Sequence, residues 1–316
     1  MNDLDKSSQK DHQQAVKDWW NSQQSKEKWT GATYQDSWET HLHYWIRQKK
    51  TLEFIDKSNL PKDAKILELG FGGSETAIKI LHKGYTYYGI DVSKHLCDHA
   101  KKMCDTYVKK NKAFFIESSL EQKYEFEDNF FDIVIICGAI HYAGNLTNVF
   151  SEVRRVLKKG GKFIIGQGNM YTLNDLINFR KFLKACIWYF TNETFQHSYS
   201  LSFRDMLLET KLKKYFLKYR ESKFMNSKFM TNYSNHWKYK IHKRLFSKKK
   251  LENLVNVKNF QLIDVSGGPF LYSSKKKTSK IKHTINIILQ FLLDKKILKY
   301  LINFADNVVV LSVVKK

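Results

Sequence analysis

The residues best placed for chemistry lie in the segment ELGFGGS, which runs from Glu68 to Ser74. An apolar run ends here and an amphipathic run follows, which predicts a strand, a tight glycine turn and a helix. A glycine turn lets a ligand approach the backbone, and the helix N-terminus offers free N–H groups. Asp91 follows Gly70 by 21 residues, at the end of the next predicted strand. A carboxylate there can accept both hydroxyls of a ribose, so this pattern predicts an adenosine-bearing cofactor.

Two kinds of cofactor remain at this point. A dinucleotide site has the pattern GxGxxG and binds a pyrophosphate at the helix N-terminus. Glu75 occupies the third glycine position here, and Glu68 adds negative charge just before the turn. Both acids would repel a pyrophosphate. They suit a cofactor that has no phosphate and carries a positive charge, as a sulfonium does.

The segments around this motif predict the sheet that positions it. Short apolar strands alternate with amphipathic helices in AKILELG, YTYYGIDV, AFFIE, FFDIVIICGAI and KFIIG. The Ile/Val run in the fourth segment is typical of a parallel strand buried on both faces. Further strands are predicted at FQLIDVSG and at NVVVLSVV near the end of the chain. The pattern predicts an α/β fold with a doubly wound sheet.

The sequence resembles the class I S-adenosylmethionine-dependent methyltransferases. The resemblance rests on ELGFGGS, GIDVS, FEDNFFDIVIICGAIHY, EVRRVLKKGGKFIIG and VVVLSVV, in that order along the chain. Ser74 replaces the third glycine of the family's first motif. The resemblance covers about Lys62–Gly168 plus the last strand. It implies S-adenosyl-L-methionine as cofactor and a Rossmann-like methyltransferase sheet with an antiparallel last strand.

The resemblance also implies how the chain is organised. Residues 1–59 are expected to form an N-terminal helical, aromatic-rich lid, in which residues 1–14 are a frayed polar tail. Residues 60–169 and 256–316 are expected to form the cofactor-binding α/β domain. Residues 170–255 are expected to form a basic helical cap, inserted after the fifth strand, that supplies substrate contacts.

The family's cofactor residues transfer to this sequence one by one. Gly70 and Gly72 would let the methionine part of the cofactor approach closely. Glu68 would lie near its ammonium group, or would only order the turn. Asp91 would bind the ribose, and Val92 would pack against the adenine.

The loops after the third and fourth strands complete the implied cofactor site. Family members usually place an acid after the third strand, close to the adenine amine. That position falls on Ser118 or Ser119 here, with Glu117 as a substitute. Cys137 and Gly138 would line the floor beneath the sulfonium.

The candidate catalytic residues follow the fourth strand. His141 lies at the expected mouth of the cofactor site and is the first candidate for a general base, with Tyr142 beside it. The alternative is that His141 only packs against the sheet.

An aromatic segment before the first strand is the candidate substrate site. It would shape the pocket as a lid or stack on a cationic substrate, or its rings would only form the buried face of a helix. Its residues are Tyr34, Trp38, His41 and Tyr44.

The charge of the chain is unevenly distributed. Net charge is +23 over 316 residues, with a balance of +3 in residues 1–170 and +20 in residues 171–316. A solvated basic surface explains this, as does an anionic partner such as an acidic carrier protein, a lipid surface, a phosphorylated substrate or RNA. The apolar, basic segment Lys280–Phe304 could lie on an anionic membrane. We expect it to be buried as core.

Absent motifs narrow the reaction that the resemblance implies. The sequence has no Asp/Asn-Pro-Pro-Tyr motif, no Pro-Cys nucleophile and no paired-glutamate loop. The leading hypothesis is therefore methyl transfer to a small-molecule oxygen or nitrogen acceptor, anionic or carrier-bound. The alternatives are an RNA methyltransferase that uses the basic half of the chain, and a scaffold without catalysis.

The cysteines and the apolar segments predict the environment in which the protein works. The four cysteines form no CxxC pair, so reduced thiols and no metal site are expected. The N-terminus lacks an apolar stretch, and the segment Ile285–Leu293 is about half of the ~20 residues that a membrane span needs. These features predict a soluble, cytoplasmic protein.

Overall fold

A computed structural model gives the fold of the protein. The described residues are 6–22, 42–169, 172–173, 195–196, 241, 243–244, 246–271 and 279–315. Of the segments singled out in the sequence, most of the expected basic cap and part of the aromatic lid therefore lie outside the described residues.

The main sheet has seven strands. They are β1 (Lys65–Leu69), β2 (Thr86–Asp91), β3 (Ala113–Glu117), β4 (Phe131–Cys137), β5 (Leu157–Gly168), β8 (Phe260–Gly268) and β9 (Asn307–Val314). Their order is β3-β2-β1-β4-β5-β9-β8. Neighbours among the first five strands pair in parallel, whereas β9 is antiparallel to both β5 and β8. The predicted α/β sheet with an antiparallel last strand is confirmed. A separate two-stranded ladder joins β6 (Phe195–Gln196) and β7 (Lys243–Arg244).

Eight helices flank the sheet in the described part of the chain. They are α1 (Lys6–Trp20), α2 (Leu42–Asp56), α3 (Glu75–His82), α4 (Lys94–Met103), α5 (Asp105–Lys109), α6 (Leu146–Val156), α7 (Lys248–Val257) and α8 (Lys280–Asp294). Short 3₁₀ helices cover Ile140–Tyr142 and Lys299–Phe304. Several of the α-helices have a side chain that caps their N-terminus, because the first N–H groups of a helix lack partners within it. The Ser93 hydroxyl accepts from the Leu96 N–H, and the Asn145 side chain accepts from the Asn148 N–H.

Two apolar layers, one on each face of the sheet, hold the domain together. On one face, α6 and α7 pack against β4, β5 and β8 through a cluster that contains Phe150, Phe163 and Phe260. The ring centroids of Phe163 lie 5.5 Å from Phe150 and 5.2 Å from Phe260. On the other face, α2, α3 and α4 cover β1 and β2. The parallel strands are therefore buried on both sides, as their continuous Ile/Val sequences require.

Two predictions of helix bounds in the first half of the chain are wrong. The first helix begins at Lys6, so residues 6–14 are not a frayed tail. Packing explains this, because Val16 and Trp19 of α1 are buried against Tyr142. The segment SKHLCDHAKKMCDTYVKK has the sequence pattern of one helix over residues 93–110, but it breaks at Cys104 into α4 and α5, where φ is −109°.

The helix before β5 also ends earlier than predicted. The sequence LTNVFSEVRRVLKK has the pattern of a helix through Lys159, followed by a turn at Gly160–Gly161, but α6 ends at Val156 and β5 begins at Leu157. The pairing of β4 with β5 shifts register at this point, and Gly160 adopts φ +74°. The expected Gly160–Gly161 turn is therefore an irregularity within the strand.

The expectation that Lys280–Phe304 is buried as core is wrong. Within α8 only Asn286 and Leu293 are buried, whereas Ile281 is 74% exposed and Phe291 is 55% exposed. The Asn286 Oδ1 accepts from the N–H groups of Phe270 and Leu271 at 2.8 and 2.9 Å. This helix is held to the domain along one narrow line, and hydropathy alone does not reveal how much of an apolar helix a neighbour covers.

The contrast between buried and exposed phenylalanines gives a test of the fold. We expect Phe163→Ala to lower the free energy of unfolding by about 3–5 kcal/mol, since it opens a cavity in the cluster. The matched change Phe291→Ala should alter it by no more than about 0.5 kcal/mol because that ring is exposed. Denaturant titrations of both variants measure the difference, and equal losses would contradict the described packing.

Candidate functional site

The glycine turn after β1 forms one wall of a cleft. Gly70 and Gly72 adopt φ +71° and +60°, a region that residues with a side chain rarely occupy. A Cβ on Gly70 would collide with Ala139, so this position also needs glycine for space. At Gly72 no atom lies within 4 Å of an added Cβ, which leaves the backbone open to a ligand.

Ser74 keeps the turn geometry although it replaces a glycine of the family pattern. Its φ is +69°, and its side chain is fully buried. Among the described residues its hydroxyl has no hydrogen-bond partner. The substitution therefore costs some backbone strain but leaves the start of α3 in place.

Glu68 is a carboxyl group buried at the end of β1. It is 2% exposed, and the Tyr87 hydroxyl donates a hydrogen bond to its Oε2 at 2.8 Å. Burial raises the pKa of Glu68 to about 8, although the Tyr87 hydrogen bond and the positive charge of Arg47 act in the opposite direction. At neutral pH the group holds a proton, and a positive charge brought into the cleft would favour its release.

Asp91 connects the end of β2 to the glycine turn. Its Oδ1 accepts from the Ser93 N–H at 3.0 Å, and its Oδ2 accepts from the Gly72 N–H at 3.2 Å. Burial raises the pKa of Asp91 to about 6, against the lowering effect of these backbone hydrogen bonds. A carboxylate has about four acceptor positions, so Asp91 can still accept hydrogen bonds from a ligand.

The cleft brings most of the predicted cofactor residues together. It has a volume of about 1090 Å³ including its open mouth, and helices α1 and α2 close it from above the sheet. The predicted residues that line it are Tyr44, Glu68, Gly70, Gly72, Asp91, Val92, Ser118, Ser119, Cys137, Gly138 and Tyr142.

Other predicted site residues lie elsewhere. His141 is buried but is not among the residues that line the cleft, and its Nδ1 lies 3.1 Å from the Gln167 Oε1. Glu117 forms an ion pair with Lys17 at 2.9 Å and does not line the cleft. The predicted substrate residues Tyr34, Trp38 and His41 lie outside the described residues.

Cys137 contributes a neutral thiol to the floor of the cleft. Its Sγ lies 3.1 Å from the Thr51 Oγ1, and burial raises the pKa of the thiol to about 11. A thiol in this state is a weak nucleophile and a weak metal ligand. The described residues contain no cluster of His, Cys, Asp or Glu that could hold a metal ion.

Arg47, on α2, is a cleft residue that the sequence interpretation missed. A Cβ on Gly138 would lie 2.5 Å from its Nη2, so the guanidinium covers the backbone just after β4. Its Nη1 donates to the Asn307 Oδ1 at 3.3 Å, and its Cζ lies 5.1 Å from the centroid of the Tyr44 ring. Arg47 forms no ion pair with any residue in the described ranges. The three-residue spacing from Tyr44, which places both on one helix face, was the available signal.

Glu121 is a second missed residue, in the loop after β3. It is 6% exposed and lines the cleft. It accepts from the N–H groups of Gly144 and Asn145 at 2.9 and 2.8 Å, and from Gln13 of α1 at 3.2 Å. An acid of this loop therefore does line the cleft, three residues beyond Ser118.

The charges around the cleft fit a cationic cofactor. Four acids line it, namely Glu68, Glu75, Asp91 and Glu121. Glu75 opens α3, at the place where a dinucleotide fold would bind its pyrophosphate. The glycine turn, Asp91 and the surrounding acids are compatible with a nucleoside that carries positive charge.

A family model described as a methyltransferase domain matches residues 67–165. The Bacillus subtilis (strain 168) protein YqeM, named as a methyltransferase, is 28% identical over 108 residues, which cover 33% of this chain and 42% of that protein. A sterol 24-C-methyltransferase of Gibberella zeae is 30% identical over 112 residues, 35% of this chain and 29% of that enzyme. The chain thus spans less than half the length of these relatives.

A solved structure shares the overall fold. An S-adenosylmethionine-dependent methyltransferase from Methanosarcina mazei superposes with a TM-score of 0.50 and 15% identity, over 83% of this chain and 97% of that one. The fold and cleft define an α/β domain that binds an adenosine-bearing cofactor. Over residues 67–165 the chain therefore resembles a methyltransferase domain, and this likeness implies S-adenosylmethionine as the cofactor.

The role predicted for Asp91 can be tested with S-adenosylhomocysteine. We expect Asp91→Asn to weaken its binding about 10- to 100-fold, because the acceptor of the ribose hydroxyls loses its charge. Wild-type affinity should fall as the pH drops below about 6, where Asp91 takes up a proton. The variant should lose this pH dependence.

Calorimetric titrations across the pH range measure both effects. Asp98→Asn is the matched control, because Asp98 is an exposed acid on α4 whose side chain is 50% accessible. Equal affinity of the wild type and Asp91→Asn would remove Asp91 from the ribose site.

Proposed function

We propose that the protein transfers the methyl group of S-adenosylmethionine to a small acceptor molecule that carries a negative charge at or beside the methylated oxygen or nitrogen. The observation that carries this proposal is the position of Arg47. Its guanidinium lies in the cofactor cleft without a carboxylate partner among the described residues. A half-buried cation in such a position favours an anionic ligand.

The position of Arg47 relative to the sheet supports a role in binding the acceptor. The glycine turn and Asp91 lie at the ends of β1 and β2. The Arg47 side chain instead lies at the ends of β4, β5 and β9, where it approaches Gly138, Gly166 and Asn307. If Cys137 and Gly138 form the floor beneath the sulfonium, as the family resemblance implies, an anion bound to Arg47 lies next to the reacting methyl group.

The chemistry requires little from the protein beyond alignment. The cofactor supplies a methyl carbon bonded to a positively charged sulfur, and that bond breaks as the acceptor's lone pair attacks. Arg47 would hold the acceptor in line, and an effective concentration gained in this way accounts for much of the rate of such displacements. An acceptor that is already ionised needs no general base. The placement of His141 against Gln167, away from the cleft lining, agrees with that requirement.

Arg47→Gln tests the proposal. We expect it to lower kcat/KM for acid acceptors at least about 30-fold, since a charged hydrogen-bonding partner is lost. Binding of S-adenosylhomocysteine should change by less than about threefold. Transfer of labelled methyl groups to a panel of carboxylic and phenolic acids, with their amides and methyl ethers for comparison, measures the activity. Lys49→Gln is the matched control, because Lys49 is an exposed cation on the same helix.

Two results would contradict this account in different ways. Weaker binding of S-adenosylhomocysteine by Arg47→Gln, with binding of 5′-methylthioadenosine unaffected, would show that Arg47 holds the cofactor's own carboxylate. Failure of the wild type to methylate any acceptor, with cofactor binding intact, would favour a scaffold without catalysis.

A further inference from the structure

The C-terminal helix and the turn that follows it expose an unusual amount of apolar surface. We define the C-terminal face as the exposed apolar side chains of α8 and of the segment that runs to Phe304. Its members are Ile281, Ile287, Ile288, Phe291, Ile297, Leu298, Tyr300 and Phe304, and their exposed fractions range from 37% to 74%. Most of the large exposed apolar residues in the described part of the chain belong to this one segment. Clustered exposure of this kind marks an interaction site.

The exposed residues of α8 form one stripe along the helix. Ile281, Ile288 and Phe291 recur at spacings of seven and three residues, so they lie on one side of the helix. Asn286 and Leu293 face the opposite way, where both are buried against the domain. A surface helix normally turns its apolar stripe inward, whereas α8 turns a second apolar stripe outward.

Lysines without acidic partners surround this stripe. Five of them, Lys280, Lys282, Lys295, Lys296 and Lys299, form no ion pair with a described residue. The sequence adds Lys275, Lys276 and Lys277 just before the helix.

Other lysines of the protein already neutralise the neighbouring acids. Lys50 pairs with both Glu53 and Asp294, and Lys57 pairs with Asp264. Glu252 pairs with Lys248. The lysines around the stripe are therefore left to attract an external negative charge.

We infer that the C-terminal face docks the protein on an anionic lipid membrane. A helix with exposed apolar side chains and flanking lysines lies in the plane of a membrane interface, where its apolar side enters the lipid and its lysines meet anionic headgroups. None of the helices in the described ranges is long and apolar enough to cross a membrane. A second copy of the chain fits this face less well, since a two-fold contact would bring the same lysines together.

Docking in this way would place the membrane one helix away from the cleft. The Lys50 Nζ of α2 lies 3.1 Å from the Asp294 Oδ2 of α8. Arg47 and Gln48 on α2 line the cleft. The docked helix would therefore contact the element that forms one wall of the cofactor site, whatever the acceptor is.

Vesicle co-sedimentation of the full chain tests the inference. We expect binding to phosphatidylcholine vesicles that contain phosphatidylserine, at least about tenfold tighter than to phosphatidylcholine alone. Added salt should weaken this binding, because it screens the lysines. Phe291→Glu should reduce it at least about tenfold, since the ring no longer enters the lipid.

Met103→Glu provides the matched control. Met103 ends α4 and is 56% exposed, against 55% for Phe291, so both variants add one acid at a similarly exposed helical position. The control should bind vesicles like the wild type, and unfolding curves of both variants should match. The inference would be overturned if the wild type did not bind anionic vesicles, or if Phe291→Glu and Met103→Glu lost vesicle binding equally. A dimer that Phe291→Glu disrupts, in a protein that does not bind vesicles, would also overturn it.

Discussion

The burial of one carboxyl group, that of Glu68, is the constraint on which the cofactor cleft depends. β1 lies between β2 and β4, and Glu68 near the end of this strand is only 2% exposed. Burying an acid is costly, and this group responds by holding its proton although the positive charge of Arg47 acts in the opposite direction. The Tyr87 hydroxyl provides a hydrogen bond, but a neutral one. A positively charged ligand relieves this cost, whereas a pyrophosphate increases it.

The topology of the sheet determines where that ligand can lie. The strand order reverses direction between β1 and β4, and such a reversal opens a crevice at the carboxyl ends of the strands. The backbone of the glycine turn borders this crevice, and the hydrogen bond from Gly72 to Asp91 connects the turn to β2. Helices α1 and α2 then close the crevice. Trp20 meets Tyr142 edge to face, with ring centroids 5.8 Å apart.

The sheet and the cofactor residues could be predicted because their signals are local. A strand, a glycine turn and an acid at the end of the next strand are adjacent in sequence, and neighbouring parallel strands bring them together. For Arg47 the only local signal was its three-residue spacing from Tyr44, which does not connect it to the strands of the cleft. Arg47 lies 91 residues before Gly138 in the chain, and only the packing of α2 across β4 and β5 brings the two together.

Glu121 and α8 are two further features that the local sequence did not predict. An acid after β3 was expected at a fixed offset from the strand, whereas the acid of this loop that lines the cleft is Glu121, held by the N–H groups of Gly144 and Asn145. For α8, an apolar composition suggested burial, yet the domain covers only the line through Asn286 and Leu293. Composition reports how apolar a helix is, and the number of neighbours it will have is a property of the whole fold.

Proton release from Glu68 on cofactor binding is the most direct measurement of the central claim. Titrations of S-adenosylmethionine at pH 7, in buffers with different heats of ionisation, count the protons released. Because burial holds the pKa of Glu68 near 8, the wild type should release up to about one proton more than Glu68→Gln. Equal proton release by both proteins would contradict the view that this buried acid selects a positively charged cofactor.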